Sequence, residues 1–225
     1  MCGIIGYENH NVTNADLEIL QQVMLESRIR GKHASGIAWY DGKKIHSKTK
    51  PVAIDELLNG LDLRKTIYNT HEISIIAHAR YSTSDIQYNQ PLVGTKIAIA
   101  HNGVISQASS ENWKNLFGYK CKTKNDSELL LRAIENNDEP TKKFPGASIA
   151  VTILDSQGHV RAYRNTYRPL WEGTIGQGKI FASTFDILHK SGVKNIKKLD
   201  PIDNITIELQ RRNMTSWIPR ISIKA

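Results

Sequence analysis

The sequence predicts an α+β domain with largely antiparallel sheets and helices on their outer faces. Segments with the apolar pattern of strands outnumber segments with helical spacing. Short turns such as Asp41-Gly42 and residues 155–158 join neighbouring strands into hairpins. An alternation of strand and helix would instead indicate a parallel sheet, so this order of elements favours the antiparallel class.

The first half of the chain opens with an apolar strand. Thr13 or Asn14 is then suited to cap a helix over residues 15–27, because Leu17, Leu20 and Met24 follow at helical spacing. Strands are predicted over residues 37–40, 43–48, 73–80 and 96–101, and shorter helices over residues 53–65 and 112–117.

The second half begins with a predicted helix over residues 125–135, in which Asn125 and Glu128 have the spacing of a capping box. Further strands are predicted over residues 147–154, 159–163, 170–174, 179–183, 204–209 and 217–224, with a helix over residues 185–190. We expect residues 1–225 to form one domain, with no second catalytic domain among them.

The composition is that of an ordinary globular protein, with 40% hydrophobic and 23% charged residues. The absence of a long apolar run and of a signal peptide predicts a cytoplasmic protein without a membrane span. Cys2 and Cys121 lie too far apart for a Cys-x-x-Cys metal site, and we expect neither a metal nor a cofactor. The net charge of +8 comes from basic residues without interleaved aromatics, so nucleic-acid binding is an alternative but is not favoured.

Cys2 is the candidate nucleophile. Removal of Met1 would leave a residue with both a thiol and a free α-amine. An N-terminal amine has an unperturbed pKa of about 7.7–8.0, so it can serve as the base that activates the thiol. Taken alone, the first seven residues favour a different interpretation, in which Cys2 is a small buried hydrophobic residue of a strand.

Four polar clusters lie at strand ends or in loops, and each has a structural explanation when it is taken alone. Arg30-Gly31 is typical of the start of a loop, and residues 80–83 are typical of the polar residues that follow the end of a strand. Asn102-Gly103 is typical of a hairpin turn. Asp126 is typical of a helix start, where the helix dipole favours an acidic residue.

Together with Cys2, these clusters supply the groups that hydrolyse the side-chain amide of an α-amino acid. Arg80 can bind the α-carboxylate through two hydrogen bonds, and Asp126 can bind the α-ammonium group. The thiolate of Cys2 would attack the amide carbon. The Asn102 amide and the Gly103 N–H would then donate to the tetrahedral oxyanion.

The same residues, in the same order, resemble the class II glutamine amidotransferase domain, which belongs to the N-terminal nucleophile hydrolases. The resemblance covers roughly residues 2–190. Residues 80–83 and Gln90-Pro91 are closest to the glutaminase domain of glutamine phosphoribosylpyrophosphate amidotransferase. The motifs are Met1-Cys2-Gly3-Ile4, Arg30-Gly31 with Ser35-Gly36, His78-Ala79-Arg80-Tyr81-Ser82-Thr83, Gln90-Pro91-Leu92, Ala100-His101-Asn102-Gly103, Asp126-Ser127-Glu128, Arg164-Asn165-Thr166-Tyr167-Arg168-Pro169-Leu170 and Phe181-Ala182-Ser183-Thr184.

The resemblance implies a four-layer αββα sandwich of two largely antiparallel sheets. It also implies that Cys2 is the nucleophile and that Asn102-Gly103 forms the oxyanion hole. By the same resemblance, the glutamine-binding residues are Arg80, Thr83 and Asp126, with Arg30 and Gly31 in a loop that closes over glutamine. Asn165 and Ser84-Asp85 depart from the family pattern, so the subfamily and the ammonia acceptor stay open.

The sequence therefore predicts a stand-alone glutaminase subunit. L-glutamine would be hydrolysed to glutamate through a thioester on Cys2, and the ammonia would pass to a separate synthetase. One alternative is a hydrolase or transferase of another γ-glutamyl compound. A second alternative is a basic module on an inactivated hydrolase fold, which binds nucleic acid or protein.

Overall fold

The computed structural model describes residues 1–67, 71–82 and 87–201, except for the side chains of residues 66 and 67. The strands predicted over residues 204–209 and 217–224 lie outside these ranges. The strands are β1 (Gly3–Asn9), β2 (Ala34–Tyr40), β3 (Ile45–Lys50), β4 (Ile73–Arg80), β5 (Leu92–Val93), β6 (Ile97–His101), β7 (Ala150–Asp155), β8 (Val160–Arg164), β9 (Trp171–Ile175), β10 (Gly178–Ala182) and β11 (Lys194–Lys198). The α-helices are α1 (Asn14–Glu26), α2 (Ile54–Asn59), α3 (Leu63–Ile67), α4 (Trp113–Phe117), α5 (Ser127–Glu135), α6 (Pro140–Lys143) and α7 (Phe185–Lys190).

Two antiparallel sheets form the centre of the described structure. One has seven strands in the order β11-β9-β10-β1-β4-β2-β3, and the other has four in the order β5-β6-β7-β8. In the larger sheet β1 pairs with β4 so that Gly3 lies opposite Ala79. The start of β1 therefore meets the end of β4, which brings Cys2 close to Arg80 and Tyr81.

The side chains of β1 alternate between two apolar clusters, as the pleat of a strand requires. Ile4 packs between the two sheets, while Ile5 and Tyr7 pack on the outer face of the larger sheet beneath α1, α2 and α7. A third cluster joins the outer face of the smaller sheet to α4 and α5. The layers are thus helices, sheet, sheet and helices, which is the αββα sandwich that the resemblance implied.

Thr13 caps α1 as predicted. Its hydroxyl accepts a hydrogen bond from the Asp16 N–H, and the Asp16 carboxylate accepts one from the Thr13 N–H at 2.9 Å, which forms a capping box. The capping box predicted for α5 is wrong. Asn125 accepts from the Ser127 N–H, whereas the Glu128 carboxylate accepts from the N–H groups of Lys122 and Thr123.

Other differences from the predicted elements are local. The single helix predicted over residues 53–65 is two helices, α2 and α3, with Gly60 at the C-cap of α2. The short elements β5, α6 and β11 were not predicted. Lysines lie along β3 and β11, the two edge strands of the larger sheet, where charged side chains oppose pairing with other chains. Part of the net positive charge therefore lies on strand edges.

None of the described helices combines the length and apolar character that crossing a bilayer requires.

The packing between the sheets predicts a large effect of truncating Ile76, which is fully buried there. Ile76→Ala should lower the free energy of unfolding by about 2–5 kcal/mol, because it removes apolar contacts and leaves a cavity. The matched control is Ile29→Ala, since Ile29 is 73% exposed; its effect should stay within about 0.5 kcal/mol. Urea denaturation of both variants measures the difference, and equal effects would contradict the assignment of Ile76 to the core.

Candidate functional site

Cys2 lies half-buried immediately before β1, and its backbone is held on both sides. Its N–H donates to Oδ1 of Asn102 at 3.2 Å, across the gap between the sheets. Its carbonyl accepts from Nε of Arg30 at 3.4 Å and from Oγ of Ser183 at 3.5 Å. The thiol lies 3.8 Å from the carbonyl oxygen of Tyr81. The candidate nucleophile is thus positioned by residues from both sheets.

Asn102 continues the strand ladder and does not form a hairpin turn. Its N–H donates to the Ala150 carbonyl at 2.8 Å, and the Ala150 N–H donates back at 3.2 Å. The side chain is buried, and its Nδ2 has no hydrogen-bond partner among the described residues. An unpaired buried donor costs about 1–3 kcal/mol, so this NH₂ group is a donor available to a bound molecule.

Gly103 follows in a position where no side chain fits. A Cβ atom here would collide with the carbonyl oxygen of Ser148 and crowd Nε2 of His101. The next residue, Val104, pairs with Ser148 through backbone hydrogen bonds in both directions. Only glycine therefore keeps this backbone against the neighbouring strand, with the Gly103 N–H beside Asn102.

His101 supports this segment from the helix side of the smaller sheet. Its Nδ1 lies 2.8 Å from Oγ of Ser127, and its Nε2 lies 3.2 Å from the Ser148 carbonyl. Since a carbonyl only accepts, Nε2 carries the proton and Nδ1 accepts from the Ser127 hydroxyl. Burial is the main cause that lowers the pKa of His101, and Asp126 opposes this shift. The imidazole is therefore a neutral structural link between β6 and α5.

Gln90 also binds the hydrogen-bonded pair formed by His101 and Ser127. Its Oε1 accepts from the His101 N–H at 2.6 Å, and its Nε2 donates to Oγ of Ser127 at 3.0 Å. The segment that leads into Asn102 is thereby fixed by side chains from two other parts of the chain.

Asp126 precedes α5 and lies close to the candidate oxyanion hole. Its Oδ2 accepts from the N–H of Ile105 at 2.6 Å and from the N–H of Ser106 at 3.3 Å. These bonds hold the loop that follows Gly103. The structure thus places Asp126, the predicted partner of the α-ammonium group, beside the loop that follows Gly103.

Arg80 ends β4 and is oriented by the segment that follows. Its Nη1 donates to the Tyr88 carbonyl at 2.8 Å and to Oδ1 of Asn89 at 2.7 Å. Its own carbonyl accepts from the His33 N–H at 3.0 Å. Thr83, the third predicted glutamine-binding residue, lies outside the described residues.

Arg30 and Gly31 contact the backbone of the nucleophile region. Arg30 ends the short 3-10 helix Ser27–Arg30 and binds the Cys2 carbonyl, while its Nη2 is buried without a partner among the described residues. A Cβ atom on Gly31 would collide with the peptide between Arg80 and Tyr81. Their expected part in closing over glutamine stays a prediction, since the structure shows them packed against strand ends.

Three residues of the site were not singled out from the sequence. Arg168 donates from Nε to Oγ of Ser148 at 3.3 Å and from Nη1 to Sδ of Met1 at 3.4 Å. The Ser183 hydroxyl accepts from the Ile4 N–H at 2.8 Å. Arg168 and Ser183 belong to motifs that carried the resemblance, but no local pattern indicated that they reach the N-terminus.

His78 is the third of these residues. It is buried, and neither ring nitrogen has a hydrogen-bond partner among the described residues. Burial is the largest cause that lowers the pKa of His78 to about 3, and the charge of Arg80 acts in the same direction, whereas the nearby backbone of His101 opposes the shift. His78 is therefore neutral at neutral pH.

Asn165, where the family pattern has Asp, has a structural role here. Its Oδ1 accepts from the Ile149 N–H at 3.0 Å, and its Nδ2 donates to the Ala147 carbonyl at 2.7 Å. The amide thus satisfies both a donor and an acceptor next to the strand that pairs with Asn102.

Among the described residues no group of three or more His, Cys, Asp or Glu side chains is arranged to bind a metal ion.

Residues 78–190 match the family model of the glutamine amidotransferase domain. No curated protein matches the chain. Its fold is shared with glutamine phosphoribosylpyrophosphate (PRPP) amidotransferase from B. subtilis, complexed with ADP and GMP; the two are 23% identical with a TM-score of 0.60, over 89% of this chain and 46% of that one. For a structure of the allosteric regulatory enzyme of purine biosynthesis, the identity is 20% and the TM-score 0.67, over 89% and 45% of the chains.

A third similar structure is a glutamine aminotransferase class-II domain protein from Silicibacter pomeroyi, with 13% identity, a TM-score of 0.52 and coverage of 89% of this chain and 92% of that one. The chain spans less than half the length of the first two structures. The predicted α+β sandwich of two antiparallel sheets, of the N-terminal nucleophile hydrolase type, is confirmed.

The tight packing at Gly103 predicts that Gly103→Ala destabilises the protein. The added methyl group must displace the Ser148 backbone, so the free energy of unfolding should fall by about 1–3 kcal/mol. Gly146→Ala is the matched control, because a Cβ atom there meets nothing within 4 Å and the backbone φ lies outside the positive range. Urea denaturation should show a change within about 0.5 kcal/mol for the control. A Gly103→Ala variant as stable as the control would contradict the close approach.

Proposed function

Because the chain belongs to the glutamine amidotransferase domain family, whose members are enzymes that use glutamine as an ammonia donor, we propose that it hydrolyses glutamine through Cys2 as an N-terminal nucleophile. The observation that supports this most strongly is the side chain of Asn102. Its Oδ1 binds the nitrogen of Cys2, and its Nδ2 is a buried donor without a partner among the described residues. One amide is thus suited both to orient the base and to receive the oxyanion.

The first step of the proposed reaction requires removal of Met1. Met1 is 61% exposed, so the bond between Met1 and Cys2 is accessible to an aminopeptidase. The freed α-amine keeps its hydrogen bond to Oδ1 of Asn102 and takes the proton of the Cys2 thiol. The thiolate then attacks the side-chain amide carbon of glutamine.

The tetrahedral intermediate places its oxyanion between Nδ2 of Asn102 and the N–H of Gly103. Donors fixed in advance at this position stabilise the charge as it develops. The C–N bond then breaks, and the α-ammonium group of Cys2 gives its proton to the leaving ammonia. Water, activated by the same amine, hydrolyses the γ-glutamyl thioester to glutamate and regenerates the thiol.

Arg80 and Asp126 are proposed to hold the α-carboxylate and the α-ammonium group of glutamine. Support comes from their placement, since Arg80 ends the strand beside Cys2 and Asp126 binds the loop after Gly103. Asn89 and the Tyr88 carbonyl orient the guanidinium group of Arg80. Thr83 is proposed to assist them.

The proposal includes a synthetase on a separate chain that takes up the ammonia. Ammonia is mostly protonated at neutral pH and is then no longer a nucleophile, so transfer within a complex preserves its reactivity. A cytoplasmic setting, in which the Cys2 thiol stays reduced, belongs to the same proposal.

Cys2→Ala should abolish glutamine hydrolysis, because it removes the nucleophile without adding bulk. Cys121→Ala is the matched control and should retain the activity, since Cys121 packs in the cluster beneath α4 and α5. Glutamate release is measured on purified protein, and intact mass should show that Met1 is absent from the active species. Activity in Cys2→Ala, or in protein that keeps Met1, would refute the mechanism.

Asn102→Ala should lower kcat for glutamine by about 10²–10³, the usual effect of removing one oxyanion donor. Asn112→Ala provides the control, because Asn112 is exposed at the end of a surface 3-10 helix. Circular dichroism confirms that both variants are folded before glutamate release is compared. Equal kcat values for the two variants would remove Asn102 from the site.

A further inference from the structure

The volume beside the nitrogen of Cys2 is where the leaving group of an amide substrate has to lie, because the α-amine passes a proton to that group. Met1 is bonded to this nitrogen and occupies the same volume. Met1 is 61% exposed, so the volume opens to solvent once Met1 is removed. Because this side of Cys2 is open to solvent, a leaving group larger than ammonia can lie there.

A guanidinium group reaches into this volume. Nη1 of Arg168 lies 3.4 Å from Sδ of Met1, and its Nε is fixed on Oγ of Ser148 at 3.3 Å. Removal of Met1 takes away the weak thioether acceptor and leaves Nη1 facing the leaving-group side of the nucleophile.

A second cation lies close by. Nε of Arg30 binds the Cys2 carbonyl, and its Nη2 is buried without a partner among the described residues. Burial is the largest cause that lowers the pKa of Arg30, while Cys2 raises it and the charge of Arg168 lowers it. Arg30, Cys2 and Arg168 are therefore near enough to interact electrostatically.

Neither guanidinium group is neutralised by an acidic side chain of the described residues. Within residues 1–67, 71–82 and 87–201, Arg30 and Arg168 form no ion pair with an aspartate or glutamate, whereas Arg28, Arg132 and Arg161 do. A planar guanidinium group binds a carboxylate through charge-assisted hydrogen bonds. An unneutralised pair beside the leaving group thus favours a leaving amine that carries a carboxylate.

We propose that the site also hydrolyses γ-glutamyl amino acids, with Arg168 binding the carboxylate of the leaving amino acid and Arg30 adding to the positive potential. This inference rests on the proposed function, since it uses the same nucleophile. The thiolate of Cys2 forms a bond to the γ-carbonyl carbon, and the C–N bond to the amino acid breaks. The α-ammonium group of Cys2 gives its proton to the departing nitrogen, and water then releases glutamate.

The experiment compares three substrates on protein whose mass shows that Met1 is removed: glutamine, γ-glutamylglycine and γ-glutamylmethylamide. The last two have substituted leaving amines, but only γ-glutamylglycine carries a carboxylate there. Its kcat/KM should exceed that of γ-glutamylmethylamide by about ten- to hundredfold, the effect of a charge-assisted hydrogen bond. In Arg168→Gln the two kcat/KM values should differ by no more than about twofold.

Arg168→Lys should give an intermediate ratio, because it keeps the charge but loses the planar group. Lys190→Gln, which removes an exposed charge on α7, is the control and should keep the wild-type ratio. The use of a ratio separates carboxylate recognition from any general loss of folding or activity.

The outcomes distinguish the two proposals. If glutamine is hydrolysed but the ratio is near one in the wild type, or is unchanged in Arg168→Gln, the inference is overturned and the glutaminase proposal stands. If γ-glutamylglycine is hydrolysed in an Arg168-dependent way and glutamine is not, the inference is supported and the glutaminase proposal is overturned. Hydrolysis of none of the three overturns both.

Discussion

The hydrogen bond from the Cys2 N–H to Oδ1 of Asn102 is the contact on which the candidate site depends, because it joins the two sheets. A bond of 3.2 Å between residues of facing sheets requires those sheets to approach closely at this end. Small residues line the gap and allow this. A Cβ atom on Gly6 would lie 2.9 Å from Val160 and 3.1 Å from Thr152 of the smaller sheet. The hydroxyl of Thr152 also crosses the gap and donates to the Ile5 carbonyl at 3.1 Å.

The antiparallel pairing of β1 with β4 explains why the candidate site residues lie at one end of the sandwich. It places the end of β4, with Arg80, beside the start of β1, with Cys2. The end of β6 brings Asn102 to the same edge from the other sheet. Three residues that are distant in sequence thus share a site because of strand direction and sheet packing. Backbone hydrogen bonds fix these positions, and side chains on strands are held more precisely than side chains on a mobile loop.

Much of the strand content could be predicted from the sequence, because an apolar run that ends in polar residues, such as that of β4, is recognised from neighbouring residues alone. Most of the candidate site residues were proposed from their chemistry and from the motif resemblance, and their roles stay predictions. The contacts of Arg30 with the Cys2 carbonyl and of Arg168 with Met1 could not be predicted, since they join residues 28 and 167 positions apart. The supposed capping box of α5 was wrong for a related reason, because Glu128 is recruited by the preceding loop instead of by its own helix end.

Besides the ring nitrogens of His78, two donors at this site, Nδ2 of Asn102 and Nη2 of Arg30, are buried without partners in the part of the chain that the structure describes. Each such donor destabilises the fold by about 1–3 kcal/mol, and more when it is charged. Hydrogen bonds to Arg30 and Asn102 on their other atoms keep both side chains in place despite this cost. A substrate that supplies an oxyanion near Asn102 or a carboxylate near Arg168 and Arg30 would relieve it. The same groups that destabilise the folded protein would therefore favour the charged states of the proposed reaction, which is the relation between stability and function expected at an active site.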